Sequence, residues 1–351
     1  MPINIAINGF GRIGRNIFRA IHDNNKTSNI SENEYNIVAI NDLADPSTLV
    51  HLLKYDSVHG NFDFDSKLED NVFYFADKKI IISNETNPEN CPWDKLDVDI
   101  VFECTGHFAA KDKSMSHIRA GAKKVLISAP AGNDVDATIV YGINHDTIKP
   151  EHTVISNASC TTNCLAPLIK PIQSTIGLES GLMTTIHAYT SDQNLTDVAH
   201  KDLRRARAAG LSMIPTKTGA AAAIGLVIPE LAGKLDGFAM RVPTANVSVV
   251  DLTFIPSKKT DTTEINHILT SAAASELQGV LEVNSEPLVS VDFNHNSASS
   301  VADLTQTRVL GDCVKVLAWY DNEWGFANRM LDTARVIMAK STTSSTETMP
   351  S

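Results

Sequence analysis

Ser159-Cys160-Thr161-Thr162-Asn163-Cys164 and, further on, Thr184-Thr185-Ile186-His187 supply a thiol and an imidazole, the two parts of a covalent catalyst. A thiol attacks as its thiolate, and at a reference pKa of roughly 8.5 it is mostly protonated at neutral pH. Two features of the sequence act to lower that value. The run from Thr161 to Ala166 predicts a helix opening just after Cys160, so the sulfur would meet unpaired N–H groups and the positive end of the helix dipole. The run from Met183 to Tyr189 predicts a strand that would hold His187 rigidly alongside as base. The competing reading makes Cys160 a small buried apolar residue, and the polar Ser, Thr and Asn around it argue against that. Cys164 is expected one turn on, on the same helix face. No further ligands stand at metal-binding spacing, so Cys164 reads as a packed core cysteine, with a disulfide to an oxidised Cys160 as the alternative.

A second kind of chemistry stands at the N-terminus. The apolar run Ile3-Asn4-Ile5-Ala6-Ile7 leads into Gly9-Phe10-Gly11-Arg12-Ile13-Gly14, followed by an amphipathic stretch through Phe18 and Ile21. This is G-x-G-x-x-G between a strand and a helix. Gly9 permits the tight turn, Gly11 lets the backbone approach a pyrophosphate, and Gly14 lets helix and strand pack closely. The pyrophosphate would rest on the free N–H groups of the helix N-terminus. The next strand, 35–40, ends in Asn41-Asp42. A carboxylate there accepts hydrogen bonds from ribose hydroxyls and repels a 2′-phosphate, which favours NAD over NADP. The polar stretch 24–33 predicts a long loop that accounts for the wide spacing between the glycines and Asp42. A helix-capping aspartate is the competing reading of Asp42.

The elements that must position these groups follow from the rest of the chain. At 351 residues it suits two domains, each able to bury its own core. Hydrophobic content of 43% and charged content of 20% are those of a globular protein. A net charge of −11 gives no basic footprint for nucleic acid, and no basic amphipathic stripe suits a membrane surface. No secretion signal is read at the N-terminus, and the most apolar stretch, 219–228, is too short to span a bilayer. Five cysteines suit a reducing cytoplasm better than a disulfide framework.

Strand-like runs at 3–7, 35–40, 98–103, 124–128 and 153–156, with helical stretches such as 47–54 and 112–120, predict an α/β unit with a parallel sheet. After about residue 158 long β-branched runs at 245–254 and 314–320 predict a sheet with antiparallel pairing and one covered face. The nucleophile is then expected at the junction of the two domains. The expected division is 1–157 for a Rossmann dinucleotide-binding domain and 158–321 for an α+β catalytic domain with a mostly antiparallel, mixed sheet. A helix over 322–340 is expected to pack back on the first domain, and the Ser/Thr-rich end, 341–351, is expected to be disordered.

Basic residues cluster between 200 and 241, at Arg204-Arg205-Ala206-Arg207, Thr216-Lys217-Thr218-Gly219 and Met240-Arg241. In an acidic chain this density invites an anion, and arginine with Thr-Gly backbone suits phosphate oxygens. A solvated surface or a salt-bridge network between subunits is the competing reading.

Taken together, 8–15, 156–164, 239–244 and 319–325 make the chain resemble the phosphorylating glyceraldehyde-3-phosphate dehydrogenases over all but its tail. The resemblance implies a homotetramer that uses NAD, glyceraldehyde 3-phosphate and inorganic phosphate. It implies that Cys160 forms a hemithioacetal and then a thioester, with His187 as base. It places the substrate phosphate on Thr190, Asp192 and Arg241, and the attacking phosphate on Ser159, Thr161, Arg205, Thr218 and Gly219. Arg12, Ile13, Ser128 and Asn322 match further cofactor contacts. Three departures stand out. Val198-Ala199 replaces a Leu-Pro common in NAD-specific members, and Phe326 replaces a frequent Tyr. The segments 290–295 and 325–333 also resemble erythrose-4-phosphate dehydrogenase, which is the alternative reading. The Tyr189-Thr190-Ser191-Asp192 and Thr216-Lys217-Thr218-Gly219 patterns favour the triose enzyme.

Overall fold

The computed structural model describes residues 2–22 and 34–346; the predicted loop 24–33 lies outside the described residues. The chain divides into two units. One comprises 1–139, 145–158 and 327–351, and the other 140–144 and 159–326.

The first unit is built on nine strands: β1 (Ile3–Asn8), β2 (Tyr35–Asn41), β5 (Ser66–Glu69), β6 (Val72–Phe75), β7 (Lys78–Ser83), β8 (Ile100–Glu103), β9 (Lys124–Ile127), β10 (Ala137–Thr138) and β11 (Val154–Ser156). A separate ribbon joins β3 (Tyr55–Asp56) to β4 (Gly60–Asn61). The sheet order is β10-β11-β9-β8-β1-β2-β7-β6-β5. Pairing is parallel from β10 to β7, and β5 and β6 extend that edge as antiparallel strands. Ile5, Ile7, Ile100, Phe102, Val125 and Leu126 are fully buried, as a parallel sheet covered on both faces requires. Strand order runs outward from β1 in one direction and from β8 in the other. The switch point of this Rossmann sheet therefore falls between β1 and β8, and ligands bind outside the carboxyl ends of strands at such a point.

Three helices of this unit are α1 (Arg12–His22), α2 (Pro46–Lys54) and α3 (Lys111–Arg119). Phe18 on α1 packs edge-on against Phe10 and Phe75, which binds the helix to the antiparallel edge. Pairing of β5 to β7 was not expected from the sequence, although Phe62, Phe64, Phe73 and Phe75 carry the period-2 signal within each pair.

The second unit holds β12 (Leu178–Ala188), β13 (Ile214–Lys217), β14 (Leu235–Val242), β15 (Ser248–Pro256), β16 (Leu281–Asn284), β17 (Ser300–Asp303), β18 (Arg308–Leu310) and β19 (Cys313–Tyr320). The order is β13-β14-β12-β15-β19-β17-β16, with β18 paired to β19. The sheet is mixed: β12 runs parallel to β14 and β16 to β17, and the other pairs are antiparallel. Its helices are α4 (Cys160–Thr175), α5 (Ala220–Val227) and α6 (Thr262–Ala274), and α4 packs across β12, β15, β17 and β19. Alternation along β12 turns Met183, Thr185 and His187 into the covered face, all at most 4% exposed, and leaves Leu182 68% exposed on the other.

The last helix, α7, spans Trp324–Thr346, and from Ala327 onward it belongs to the first unit. The Tyr35 hydroxyl donates to Leu331 O at 2.6 Å, Thr333 Oγ1 donates to Asn157 Oδ1 at 2.7 Å, and Arg335 pairs with Glu34. Met330, Leu331 and Ala334 are fully buried. Helix continues through Thr346, beyond the boundary at 340 and into the stretch expected to be disordered; 347–351 lies outside the described residues. No described helix is long and apolar enough to cross a membrane.

Candidate active site

Cys160 is the first residue of α4 and not, as the sequence suggested, the residue before it. Ser159 is the N-cap: its Oγ accepts from Thr162 N at 3.0 Å and bonds Thr162 Oγ1 at 2.8 Å. The preceding residue, Ala158, takes a left-handed backbone with φ +56°, a turn that costs a non-glycine residue about 1–2 kcal/mol. Cys160 is partly accessible, whereas Cys164 is buried with its Sγ 3.5 Å from Ser300 Oγ and 3.8 Å from Ala318 O. Cys164 is a core residue.

His187 Nε2 lies 3.6 Å from Cys160 Sγ. On the other side of the ring, Nδ1 is 2.6 Å from Ala188 O, a separation that requires a proton on Nδ1. This assigns the tautomer and leaves the Nε2 lone pair facing the thiol. Arg241 Nη1 stands 2.9 Å from Nδ1, but its hydrogen bonds go to Ala188 O at 3.1 Å and Thr190 Oγ1 at 3.2 Å. Burial, reinforced by the Arg241 charge, lowers the imidazole to about 3. Burial likewise pushes the Cys160 thiol up, opposed by Arg241 and by hydrogen bonds from Thr161. The expected lowering of the thiol is therefore not what the folded chain produces. Desolvation works against the helix terminus at Cys160, moving the thiol up as it moves the imidazole down.

The basic cluster is organised around one carboxylate. Asp192 accepts from Thr190 Oγ1, pairs with Arg205 Nη1, and lies 4.0 Å from Arg241 Nη2. Burial pushes the Asp192 carboxyl up, but Thr190, Arg241 and Arg205 together hold it below its ordinary value. Arg205 is anchored by Thr216 Oγ1 at 2.9 Å and Lys217 O at 3.3 Å, at the end of β13 beside Thr218 and Gly219. Thr218 Oγ1 accepts from Ala220 N and Gly219 is the N-cap of α5. The buried Arg241 Nε has no hydrogen-bond partner among the described residues, a donor an anion would satisfy.

Two supports escaped the sequence reading. The Tyr320 hydroxyl bridges Thr161 Oγ1 at 2.9 Å and Thr185 Oγ1 at 2.8 Å, and its ring meets His187 edge-on. Ser248 Oγ accepts from Ala188 N and donates to Asn322 Oδ1 at 2.8 Å, which ties Asn322 to the His187 strand. Inward alternation on β15 and β19 was the available signal.

In the first unit the glycine turn has the form a dinucleotide needs. Gly9 has φ +90°, and a Cβ there would meet Thr105 at 2.8 Å. A Cβ on Gly14 would meet Gly9 O at 2.3 Å, whereas the backbone at Gly11 has open space. Asp42 accepts from Phe10 N at 2.7 Å and from Ala44 N at 3.0 Å, so it locks the turn to the end of β2. Arg12 pairs with Asp56, Ile13 is half-buried on α1, and Ser128 follows β9 with its N–H donated to Glu103 O. These residues fit a dinucleotide.

A Rossmann unit joined in one chain to a unit with a thiol–imidazole pair is the build of a dinucleotide-dependent oxidoreductase. Comparison with known proteins makes that class specific. Residues 3–111 match the model of the glyceraldehyde 3-phosphate dehydrogenase NAD binding domain, and 159–322 that of its C-terminal domain. The chromosomal glyceraldehyde-3-phosphate dehydrogenase of Cupriavidus necator is 60% identical over 334 residues, 95% of this chain and 98% of that protein. Those of Pseudomonas aeruginosa and Geobacillus stearothermophilus are 55% and 52% identical, each over 97% of this chain and 99% of their own length. The chain belongs to the glyceraldehyde-3-phosphate dehydrogenase family, and it is an NAD-dependent oxidoreductase.

Proposed function

We propose that this chain is the phosphorylating enzyme of that family, which converts glyceraldehyde 3-phosphate and inorganic phosphate to 1,3-bisphosphoglycerate. The observation that carries the reading is the 3.6 Å approach of His187 Nε2 to Cys160 Sγ, next to two arginines that share Asp192.

In this mechanism His187 Nε2 takes the thiol proton as Cys160 Sγ bonds to the aldehyde carbon, and returns it to the former carbonyl oxygen to give a hemithioacetal. The Cys160 N–H, at the start of α4, stabilises the developing oxyanion. Gly9, Gly11, Arg12, Ile13, Gly14, Asp42, Ser128 and Asn322 are the residues that would hold NAD, which would supply the hydride acceptor. As hydride leaves the carbon, His187 accepts the hydroxyl proton and a thioester remains on Cys160. A phosphate oxygen then attacks the thioester carbon, the C–S bond breaks, and sulfur regains a proton from His187. A base lowered to about 3 holds each proton only briefly, which suits a group that must return it.

Thr190 and Arg241 hold the substrate phosphate in this reading; Arg205, Thr218, Gly219 and the N–H groups beside Ser159 and Thr161 hold the attacking one. Asp192 serves by ordering both guanidinium groups, since a carboxylate does not itself bind phosphate. The test is NADH formation from the triose with and without inorganic phosphate, with erythrose 4-phosphate alongside. Strong phosphate-dependent turnover of the triose is expected. Phosphate-independent turnover favouring the tetrose would overturn both substrate and second anion site.

Asp42→Ala should raise the preference for NADP over NAD, in kcat/KM, by about tenfold or more, because a carboxylate facing a 2′-phosphate is removed. An unchanged ratio would assign cofactor choice elsewhere, with Val198 and Ala199 the first residues to examine.

We further propose a cytoplasmic homotetramer. Leu182, Leu203, Leu211 and Met213 are each at least 68% exposed, and covering such a side chain contributes roughly 1.5–3 kcal/mol. A second copy is the natural cover. Five free cysteines suit a reducing compartment.

A further inference from the structure

The end of β8 holds a carboxylate that the mechanism does not use. Glu103 is fully buried, and no lysine or arginine forms a salt bridge with it among the described residues. It is saturated instead by four donors. Oε2 accepts from Asn8 Nδ2 at 2.5 Å and faces His117 Nε2 at 3.1 Å. Oε1 accepts from Thr105 N at 2.8 Å and from Thr105 Oγ1.

The proton positions in this cluster follow from the donor inventory. Trp93 Nε1 can only donate, and it lies 3.1 Å from His117 Nδ1. His117 therefore accepts at Nδ1, carries its proton on Nε2, and donates to Glu103. Asn8 Oδ1 accepts from Asn41 Nδ2 at 2.7 Å, so the Asn8 amide presents its NH2 to Glu103. Asn41 Oδ1 accepts in turn from Ser83 Oγ and Glu85 N. Every group facing Glu103 is a donor, and only the ionised carboxylate, an acceptor at both oxygens, completes the set.

Its location gives the cluster a task. Asn8 is the last residue of β1 and Glu103 the last of β8, so their hydrogen bond spans the switch point of the sheet. Asn8 leads directly into Gly9, whose N–H donates to Asn41 O, and Cys104 N donates to Asn8 O. Thr105 is the residue a Cβ on Gly9 would strike, and its Oγ1 accepts from His107 N. One carboxylate thus sets the height of both turns that border the dinucleotide crevice.

We propose that Glu103 is a positioning residue for the cofactor turn, with its orientation fixed by His117 and the His117 tautomer fixed by Trp93. The proposal rests on the reading that the turn from Gly9 to Gly14 carries NAD. None of the three residues is assigned to contact the cofactor; they act through Asn8, Gly9 and Thr105.

The test is the NAD dissociation constant of the full-length protein by fluorescence titration, together with kcat and the aldehyde KM at saturating NAD. Glu103→Gln places an NH2 against at least one of four donors. It should raise the NAD constant by about tenfold or more, the size of one orphaned buried hydrogen bond, with kcat within about twofold and the aldehyde KM unchanged. A folded Glu103→Gln protein with an unchanged NAD constant, or with kcat lost and the constant kept, would overturn the proposal.

Should that variant not fold, two changes at His117 decide. Gln at 117 keeps an N–H for Glu103 and an acceptor for Trp93, whereas Leu keeps neither. His117→Gln should bind NAD within about threefold of the parent and His117→Leu at least about tenfold more weakly. Equal constants for the two would sink the relay. Failure of the unaltered protein to bind NAD would instead sink the cofactor reading beneath it.

Discussion

Replacing Cys160 with serine should lower dehydrogenase turnover by at least about 10⁴-fold, the order of loss expected when a covalent nucleophile is removed. The volume and the hydrogen-bonding capacity of the side chain hardly change, so the cause is chemical. A serine hydroxyl is a far weaker acid than a thiol, and His187, lowered to about 3 by burial, cannot remove its proton to a useful extent. Nor could an oxygen ester conserve the oxidation energy for phosphorolysis as a thioester does. NAD binding should stay within about twofold, because the glycine turn and Asp42 belong to the first unit and are untouched. A stopped-flow burst of NADH, normalised to protein, makes the measurement direct: the burst should vanish while the titrated NAD sites remain. Retained turnover would remove Cys160 from the mechanism.

How much of this site could be read in the sequence depended on how local each part is. The glycine turn was legible in full, since six consecutive residues between a strand and a helix carry the geometric demand and the structure needs nothing else to explain it. Cys160 and His187 were legible as types: the N-cap serine and a β-strand of eleven residues specify where each side chain must sit. What local pattern cannot carry is the electrical environment. The helix terminus argued for a lowered thiol, whereas the covered face of the second sheet desolvates the sulfur and reverses the direction. Asp192 shows the same limit, because its place between two arginines needs both Arg205, from the loop that follows it, and Arg241, from β14.

The Glu103 cluster was not legible at all. Trp93, His117 and Asn8 look like ordinary core and strand-end residues, and sequence separations of 95 and 14 divide Glu103 from Asn8 and His117. Only the parallel register of β1 against β8, which sets Asn8 opposite Glu103, assembles them. The end of the chain is a different case. Ser341 to Thr346 has poor helix propensity, and the continuing helix is an extension of a segment already anchored by Tyr35, Asn157 and Glu34.

His187→Asn should reduce kcat by about 10²–10⁴-fold and leave NAD affinity unchanged, which separates the base from the nucleophile. Asparagine is the informative substitution because its amide can still donate to Ala188 O, the acceptor now served by Nδ1 at 2.6 Å. A loss of activity then reports the missing Nε2 rather than an orphaned carbonyl. Two signatures distinguish loss of a base from loss of shape. Removal of the hemithioacetal proton becomes the slow event as hydride departs, so an aldehyde deuterated at its reacting carbon should show a primary isotope effect larger than in the parent. The surviving rate should also climb as pH rises into the alkaline range, because burial holds the Cys160 thiol up and hydroxide must stand in for the imidazole. A variant with near-parental kcat and an unchanged isotope effect would show that the 3.6 Å contact is structural, and Cys160 would need another base. Tyr320 would be a poor substitute. Its hydroxyl is committed to Thr161 and Thr185, and burial raises it well above its ordinary value, so it cannot take a proton at neutral pH. In the proposed mechanism the imidazole is therefore the group on which proton transfer in the second unit depends.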